Sequence, residues 1–463
     1  MSSEPLSPAD RASLTAERGP VNMNVGAALL FDAGPGLEYA AMLDRLASRL
    51  HLVPRFRQRL EESASGLANP VWIDDVHFNL SWHLRTGVLP SPGGPAQLGA
   101  YVANEMSRRM DRTRPLWELH IITGLADGRV AILPKLHHAM VDGIAAIAIG
   151  TLILDPTPEP LEIPPPAEAD WTPKEYDRTE RLTRLARAPL RSAQELALQA
   201  STRVLYTTPQ AAANDLRRAT DLVTELARSR PQAPMTPLNR PITPNRAFAM
   251  EQVPLAAIKA AAELAGATVN DALLDVVAGM LRRYLDEAGE VPDSDPVALV
   301  PVSVRADVDG DGGNQISTVF VDLPTTEDDP IERLRTIAES TRKLKRSAAV
   351  RAGALMVGAT GMAPPLVSAW LGRAMGGVRA FNLVVSNVPG PQFPLYLGGS
   401  QMRGIYPVVP LNPANQGLTV GILSYDGEVH IGLLADGDLD PGIDRVAAAL
   451  RAALAEMLEL SAA

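Results

Sequence analysis

Two stretches that mix strand-like and helix-like patterning, kept apart by a proline-studded segment, constrain this chain more than any other feature. Asp155 to Pro173 carries Pro156, Pro158, Pro160 and the run Pro164-Pro165-Pro166, and Arg230 to Asn245 is again rich in proline. Proline lacks an N–H and has a fixed φ, so neither stretch can run through the interior of a helix or sheet. They read as a semi-rigid linker. Between them, Lys174 to Ser229 is rich in Arg, Ala, Leu and Glu and reads as helical. A chain of 463 residues is also too long for one compact core. The expected layout is a first half over 1–154, a crossover over 155–245 and a second half over 246–463.

Both halves read as α/β with mixed α+β character. In the first, Met23 to Phe31 alternates as a strand does, and Trp117 to Thr123 and Val130 to Leu136 are short apolar runs. Tyr39 to Leu50 and Leu98 to Met110 have helical spacing. Asp142 to Leu154 reads as a helix with Asp142 placed as its N-cap. In the second half, Leu255 to Ala265 and Val269 to Leu285 look helical, and Asp440 to Leu460 closes the chain as a helix. Pro296 to Val302, Gln315 to Leu323, Asn382 to Ser386, Gly417 to Tyr425 and Glu428 to Leu434 look like strands. An interface between two such halves is a natural place for a pocket.

Composition excludes several function classes. Net charge is −10, which argues against a nucleic-acid partner, since that needs a basic face. With no cysteine, there is no disulfide, no thiolate nucleophile and no cysteine-ligated metal. The opening Met1-Ser2-Ser3-Glu4-Pro5 has neither a basic nor an apolar leader region, so a cytoplasmic enzyme is expected. Ala352 to Gly372 is uncharged and long enough to span a bilayer, but Pro364-Pro365 interrupts it. Lipid offers no replacement partners for the freed carbonyls, so two short apolar helices, buried or lying at an interface, are expected there.

The chemistry concentrates in His137-His138-Ala139-Met140-Val141-Asp142-Gly143. A chance match to His-His-x-x-x-Asp-Gly in a chain with so few histidines is on the order of one in a thousand. Adjacent side chains on an extended backbone point to opposite faces. One histidine should therefore face the cleft and the other should pack behind it. A neutral imidazole can accept a proton at working pH, but an alcohol is a far weaker acid than imidazolium. The base must take the proton as the bond to the acyl carbon forms, which requires both reactants bound together. No acyl-enzyme is expected, because no Gly-x-Ser-x-Gly elbow accompanies the missing cysteines. A metal is not expected, since His51, His77, His83, His120 and His430 lack ligand spacing.

Further blocks sharpen this into a resemblance. Leu6-Ser7-Pro8-x-Asp10, Val53-Pro54-Arg55-Phe56-Arg57-Gln58-Arg59-Leu60 and Asp111-Arg112-Thr113-Arg114-Pro115-Leu116-Trp117-Glu118 lie in the first half. Asn270-Asp271, Pro301-Val302-Ser303-Val304-Arg305 with Gly313-Asn314, and Ser386-Asn387-Val388-Pro389-Gly390-Pro391 lie in the second. Taken in order over nearly the whole chain, they resemble the bacterial wax ester synthase/diacylglycerol acyltransferase family. Asn79 departs from that pattern, which often has Asp there.

The resemblance implies two halves like chloramphenicol acetyltransferase and the peptide-synthetase condensation domains, with a cleft or tunnel at their interface. It implies transfer of a long-chain acyl group from acyl-CoA, as co-substrate, to diacylglycerol or a fatty alcohol, with no cofactor. It makes His138 the general base. His137, Asp142, Gly143 and Asn270 complete the catalytic candidates. Asp142 either orients His138 or braces the loop, the bracing role being preferred, with Arg305 as candidate partner. Asn270 either faces the substrate and the developing oxyanion or caps its helix, and Asp271 is read as a brace. Pro115, Leu116, Trp117, Ser386, Asn387, Gly358 and Gly361 are candidates for lining the substrate site, although a lone Trp such as Trp117 is more often core packing. Contact with a membrane or lipid inclusion from the cytoplasmic side is compatible with this picture, and the oligomeric state is left open. The competing readings are a condensation-type enzyme using a carrier-protein thioester and a non-catalytic lipid-binding homologue.

Overall fold

A computed structural model describes residues 3–62, 69–140, 150, 152–164, 171–176, 232–304, 315–346, 379–411 and 415–462. The expected helices over 142–154 and 174–229 and the broken apolar segment over 352–372 lie largely or wholly outside these residues.

Strands β1 (Ser3–Pro5), β2 (Asn24–Phe31), β3 (Gln58–Glu61), β4 (Val71–Asp74), β5 (Leu84–Val88), β6 (Trp117–Thr123) and β7 (Val130–His137) come from the first half. From the second come β8 (Arg246–Pro254), β9 (Val297–Val304), β10 (Gln315–Asp322), β11 (Leu383–Pro389), β12 (Tyr396–Leu397), β13 (Ser400–Val408), β14 (Leu418–Tyr425) and β15 (Glu428–Asp436). The described helices are α1 (Pro8–Ala16), α2 (Tyr39–Arg49), α3 (Leu80–His83), α4 (Pro95–Ser107), α5 (Leu255–Leu264), α6 (Val269–Ala288), α7 (Pro330–Arg346) and α8 (Ile443–Ala462).

Among the described residues there are two six-stranded sheets and a small three-stranded one. One large sheet runs β12-β13-β2-β7-β6-β5, the other β10-β9-β11-β14-β15-β8. The first sheet is therefore completed by β12 and β13, which the chain makes only after most of the second half. β13 pairs antiparallel with β2, Tyr406 opposite Ala28 and Val408 opposite Gly26. At the same place the sheets touch backbone to backbone. Gly421 and Gly432 face each other across β14 and β15. A Cβ on Gly432 would lie 2.0 Å from the Pro407 carbonyl oxygen, and one on Gly421 would lie 2.8 Å from the Pro407 ring, so only glycine fits.

Local chemistry explains the main elements. β7 is buried along nearly its whole length, as expected of a central strand covered on both faces. α6 starts with a capping box, Thr268 and Asp271 each bonding the other's backbone N–H, and ends at Gly289 in the left-handed conformation. Its core-facing side packs with α5, α7 and α8 over the second sheet. Arg333 of α7 locks this layer, bonding Asp275 of α6 at 2.7 Å and Glu456 of α8 at 2.8 Å. α5 and α6 together have the length and composition of a span but are bent by 96° at their junction; among the described residues no single helix is long and apolar enough to cross a membrane.

Where the first half ends, Asp155 ties several elements together. Its carboxylate bonds Arg45 and Arg49 of α2, and its backbone exchanges two hydrogen bonds with Tyr396 of β12.

Candidate active site

The two histidines are placed by both neighbours of β7. The backbone N–H of His137 donates to the Leu116 carbonyl at 3.0 Å, on the β6 side. The N–H of His138 donates to the Met23 carbonyl at 2.7 Å, on the β2 side. The strand ends at His137, and His138 opens a short 3₁₀ turn through Met140. As alternation requires, the two side chains separate. His137 is 1% exposed, whereas His138 is only partly buried.

His137 belongs to a buried polar chain. Its Nδ1 accepts the Ala139 N–H at 3.0 Å, so the proton of the neutral ring is on Nε2. That nitrogen lies 3.5 Å from Glu17 Oε1, and Glu17 Oε2 accepts from Arg112 at 2.8 Å. Burial alone would raise the Glu17 pKa, but the hydrogen bonds and charges of His137 and Arg112 outweigh it and bring the value down to about 2. Glu17 is thus a fixed anion behind the motif. Arg112 also donates to the Leu14 carbonyl and pairs with Glu62, tying the loop that carries Pro115-Leu116 to α1.

His138 is reached from the same helix. Ser13 Oγ lies 3.2 Å from His138 Nδ1, and Ser13 and Glu17 stand one helical turn apart. Burial first, and the neighbouring His137 second, hold the His138 pKa below its ordinary value. The ring is therefore neutral at physiological pH, the form a general base needs. Sequence reasoning missed Ser13, Glu17 and Arg112 as members of this site. The signal was present in Ser7-Pro8-x-Asp10, which forms a capping box at the start of α1 and so sets the register of its next two turns.

A second cluster comes from the other half. Asn387 Nδ2 donates to Asn270 Oδ1 at 3.0 Å, joining two blocks more than a hundred residues apart. The N-cap reading of Asn270 is corrected here, because Thr268 is the cap and Asn270 sits inside the first turn. Asp271 is a brace, completing the capping box and accepting from Thr341 at 2.7 Å. The Asn270 carbonyl oxygen is held by Asn387, and its NH₂ bonds none of the described residues. Ser386, the residue before Asn387 on β11, is partly buried and paired across to Gly421.

Pro115, Leu116 and Trp117 are buried. The Trp117 ring stacks on His83 at 4.4 Å and its Nε1–H donates to the Phe56 carbonyl, which places it in the core of the first half. Asp142, Gly143, Arg305, Gly358 and Gly361 lie outside the described residues. The fold also creates a grouping the sequence did not suggest, with ligand atoms of Glu105, Glu118 and His120 within 4.8 Å of one another. Cations already sit on it. Arg108 lies 3.0 Å from Glu105, and the buried Lys135 lies 4.0 Å from Glu118.

Known proteins resemble this chain over nearly its whole length. Residues 6–273 match the family described as the wax ester synthase/diacylglycerol acyltransferase catalytic domain, and residues 312–458 match that family's C-terminal domain. A Mycobacterium tuberculosis protein, provisionally named a diacylglycerol O-acyltransferase, is 34% identical over 98% of this chain and 99% of its own. A second from that organism, named the same way, is 32% identical over 98% of both. Among solved structures, the wax ester synthase/diacylglycerol acyltransferase of Marinobacter aquaeolei VT8 aligns with TM-score 0.71 and 28% identity, covering 99% of this chain and 100% of its own. The first condensation domain of the calcium-dependent antibiotic synthetase shares the fold, with TM-score 0.58 and 16% identity over 99% and 96% of the two chains.

Proposed function

The chain belongs to the wax ester synthase/diacylglycerol acyltransferase family and is an acyltransferase, and from that premise we propose that it moves a long-chain acyl group from acyl-CoA to a diacylglycerol or a fatty alcohol, with His138 as general base. The observation that carries this reading is the placement of His138. It is a partly exposed imidazole at a strand end, with its Nδ1 beside Ser13 and its backbone locked on Met23, where burial holds its pKa below the ordinary value.

In this mechanism the acceptor hydroxyl attacks the thioester carbonyl while His138 takes its proton. The carbon–oxygen bond forms as the carbonyl electron pair moves onto oxygen. Collapse of that tetrahedral species breaks the carbon–sulfur bond, and the proton passes from His138 to the departing thiolate. The products are an ester and free CoA, with no covalent enzyme intermediate and no cofactor. The Asn270 NH₂, turned away from Asn387, is a fixed donor suited to the negative oxygen.

The test is release of free CoA from a labelled long-chain acyl-CoA against a panel of hexadecanol, diacylglycerol and short alcohols. Release is expected only with a lipid acceptor, and His138→Ala should abolish it without altering the melting curve. Release that needs no acceptor would make the protein a thioesterase. Substantial turnover by His138→Ala would remove the histidine from its role.

A further inference from the structure

An imidazole is a base at only one nitrogen at a time. When both can carry the proton, part of the population presents an N–H to the acceptor instead of a lone pair. A chain that relies on His138 therefore gains from a group that selects the tautomer. α1 meets the ring at Nδ1. Its capping box, Ser7 with Asp10, sets the helical register, and that register puts Ser13 against His138 Nδ1 at 3.2 Å. Four residues later, Glu17 stands against Nε2 of His137. Ser13 inside α1 and Glu17, the residue that caps its C-terminal end, thus reach the two histidines in turn.

We propose that α1 is the positioning element of the base, with the Ser13 hydroxyl accepting the Nδ1–H of His138 and so reserving the Nε2 lone pair for the acceptor's proton. Ser13 acts through His138 and touches no substrate, so it is a positioning residue. The proposal rests on the reading of His138 as base. The alternative geometry, in which Ser13 donates to Nδ1, would place the proton on Nε2 and block the reaction.

The two directions have opposite signatures. A hydroxyl that accepts from Nδ1 is bonded more strongly by the imidazolium than by the neutral ring, and so raises the pKa. Its loss should move the acidic limb of the kcat/KM profile to lower pH. A hydroxyl that donates to Nδ1 stabilises the neutral ring, and its loss would move the limb the other way. The titratable neighbour facing this ring from its own turn is His137, with the Glu17 carboxylate beyond it; the backbone of His138 itself also bonds the ring and raises its pKa, and α1 contributes the neutral Ser13 beside that bond. Among the described residues no carboxylate forms an ion pair with His138.

The experiment compares Ser13→Ala and Ser13→Thr with the parent protein. Ser13→Ala should lower kcat by about tenfold, the scale of one lost hydrogen bond, with KM for both substrates and the melting temperature little changed. Its acidic limb should move to lower pH, and Ser13→Thr should restore both. Nitrogen-15 NMR of the histidine-labelled parent protein, with His138 assigned by its loss in His138→Ala, should show the proton on Nδ1. Parent-like kcat in Ser13→Ala, a limb displaced to higher pH, or a proton on Nε2 would each overturn the proposal. The NMR result stands even if Ser13→Ala does not fold. Turnover by His138→Ala would instead overturn the reading beneath it.

Discussion

Replacing Glu17 with glutamine tests whether a buried anion underpins the histidine motif. The change is nearly isosteric. An amide oxygen can still accept from the Met23 N–H and stay beside His137, but Arg112 loses one of its two charged partners and keeps only Glu62. The carboxylate is 3% exposed, so solvent screens it little. Its pKa falls from 4.5 to about 2 on folding. At about 1.36 kcal/mol per unit, that is worth about 3 kcal/mol at neutral pH. The sign follows from the depressed folded value. The stability is fully present above the unfolded pKa of 4.5 and is lost as pH falls toward about 2. At about pH 3 less than half of it should remain. The assay is urea unfolding of parent and Glu17→Gln at about pH 7 and about pH 3, with the midpoint difference converted through m. The gap between the two proteins should narrow on acidification. A difference below about 1 kcal/mol at neutral pH, or one that does not change with pH, would refute the argument that charge, rather than shape, makes Glu17 matter.

Two more outcomes follow from the buried pairs. Arg333→Met leaves Asp275 fully buried without its cation and should cost about 3–5 kcal/mol in urea unfolding, whereas Arg333→Met combined with Asp275→Leu should recover much of it. Asn387→Ala releases the Asn270 carbonyl, and should lower kcat by about tenfold while costing about 1 kcal/mol of stability, read from steady-state kinetics beside a melting curve.

Much of the architecture was legible because central strands and core helices announce themselves. Trp117 to Thr123 falls at its observed bounds, Val130 to Leu136 extends one residue, and α6 differs mainly at its C-terminal turn. The strand that joins the halves was not legible. In Ser400–Val408 every second residue is buried, yet Gly404 and Pro407 stand inside it, and both residues ordinarily argue against a strand. They are there because the opposing sheet comes within backbone contact of Pro407. No local pattern can report a neighbour contributed from elsewhere in the chain. β8 was obscured in a similar way by the proline-rich run before it. In the site, His138 stood out through its rare spacing. Ser13 and Glu17 did not, since a serine and a glutamate on a surface-length helix look like solvent-facing residues. Their relevance comes from tertiary packing of α1 beneath the motif.

The borrowed strand also sets a timetable. A ribosome finishes β7 and its histidines near residue 137 but does not reach Ser400 until roughly 260 residues later, at about 5–20 residues per second a delay of tens of seconds. Throughout that interval the outer edge of β2 has no partner from its own sheet. The nascent first half must therefore wait, incomplete, for the far end of its own message. A chain cut short anywhere between Gly143 and β13 would carry every residue of the histidine motif and still lack the sheet that holds it.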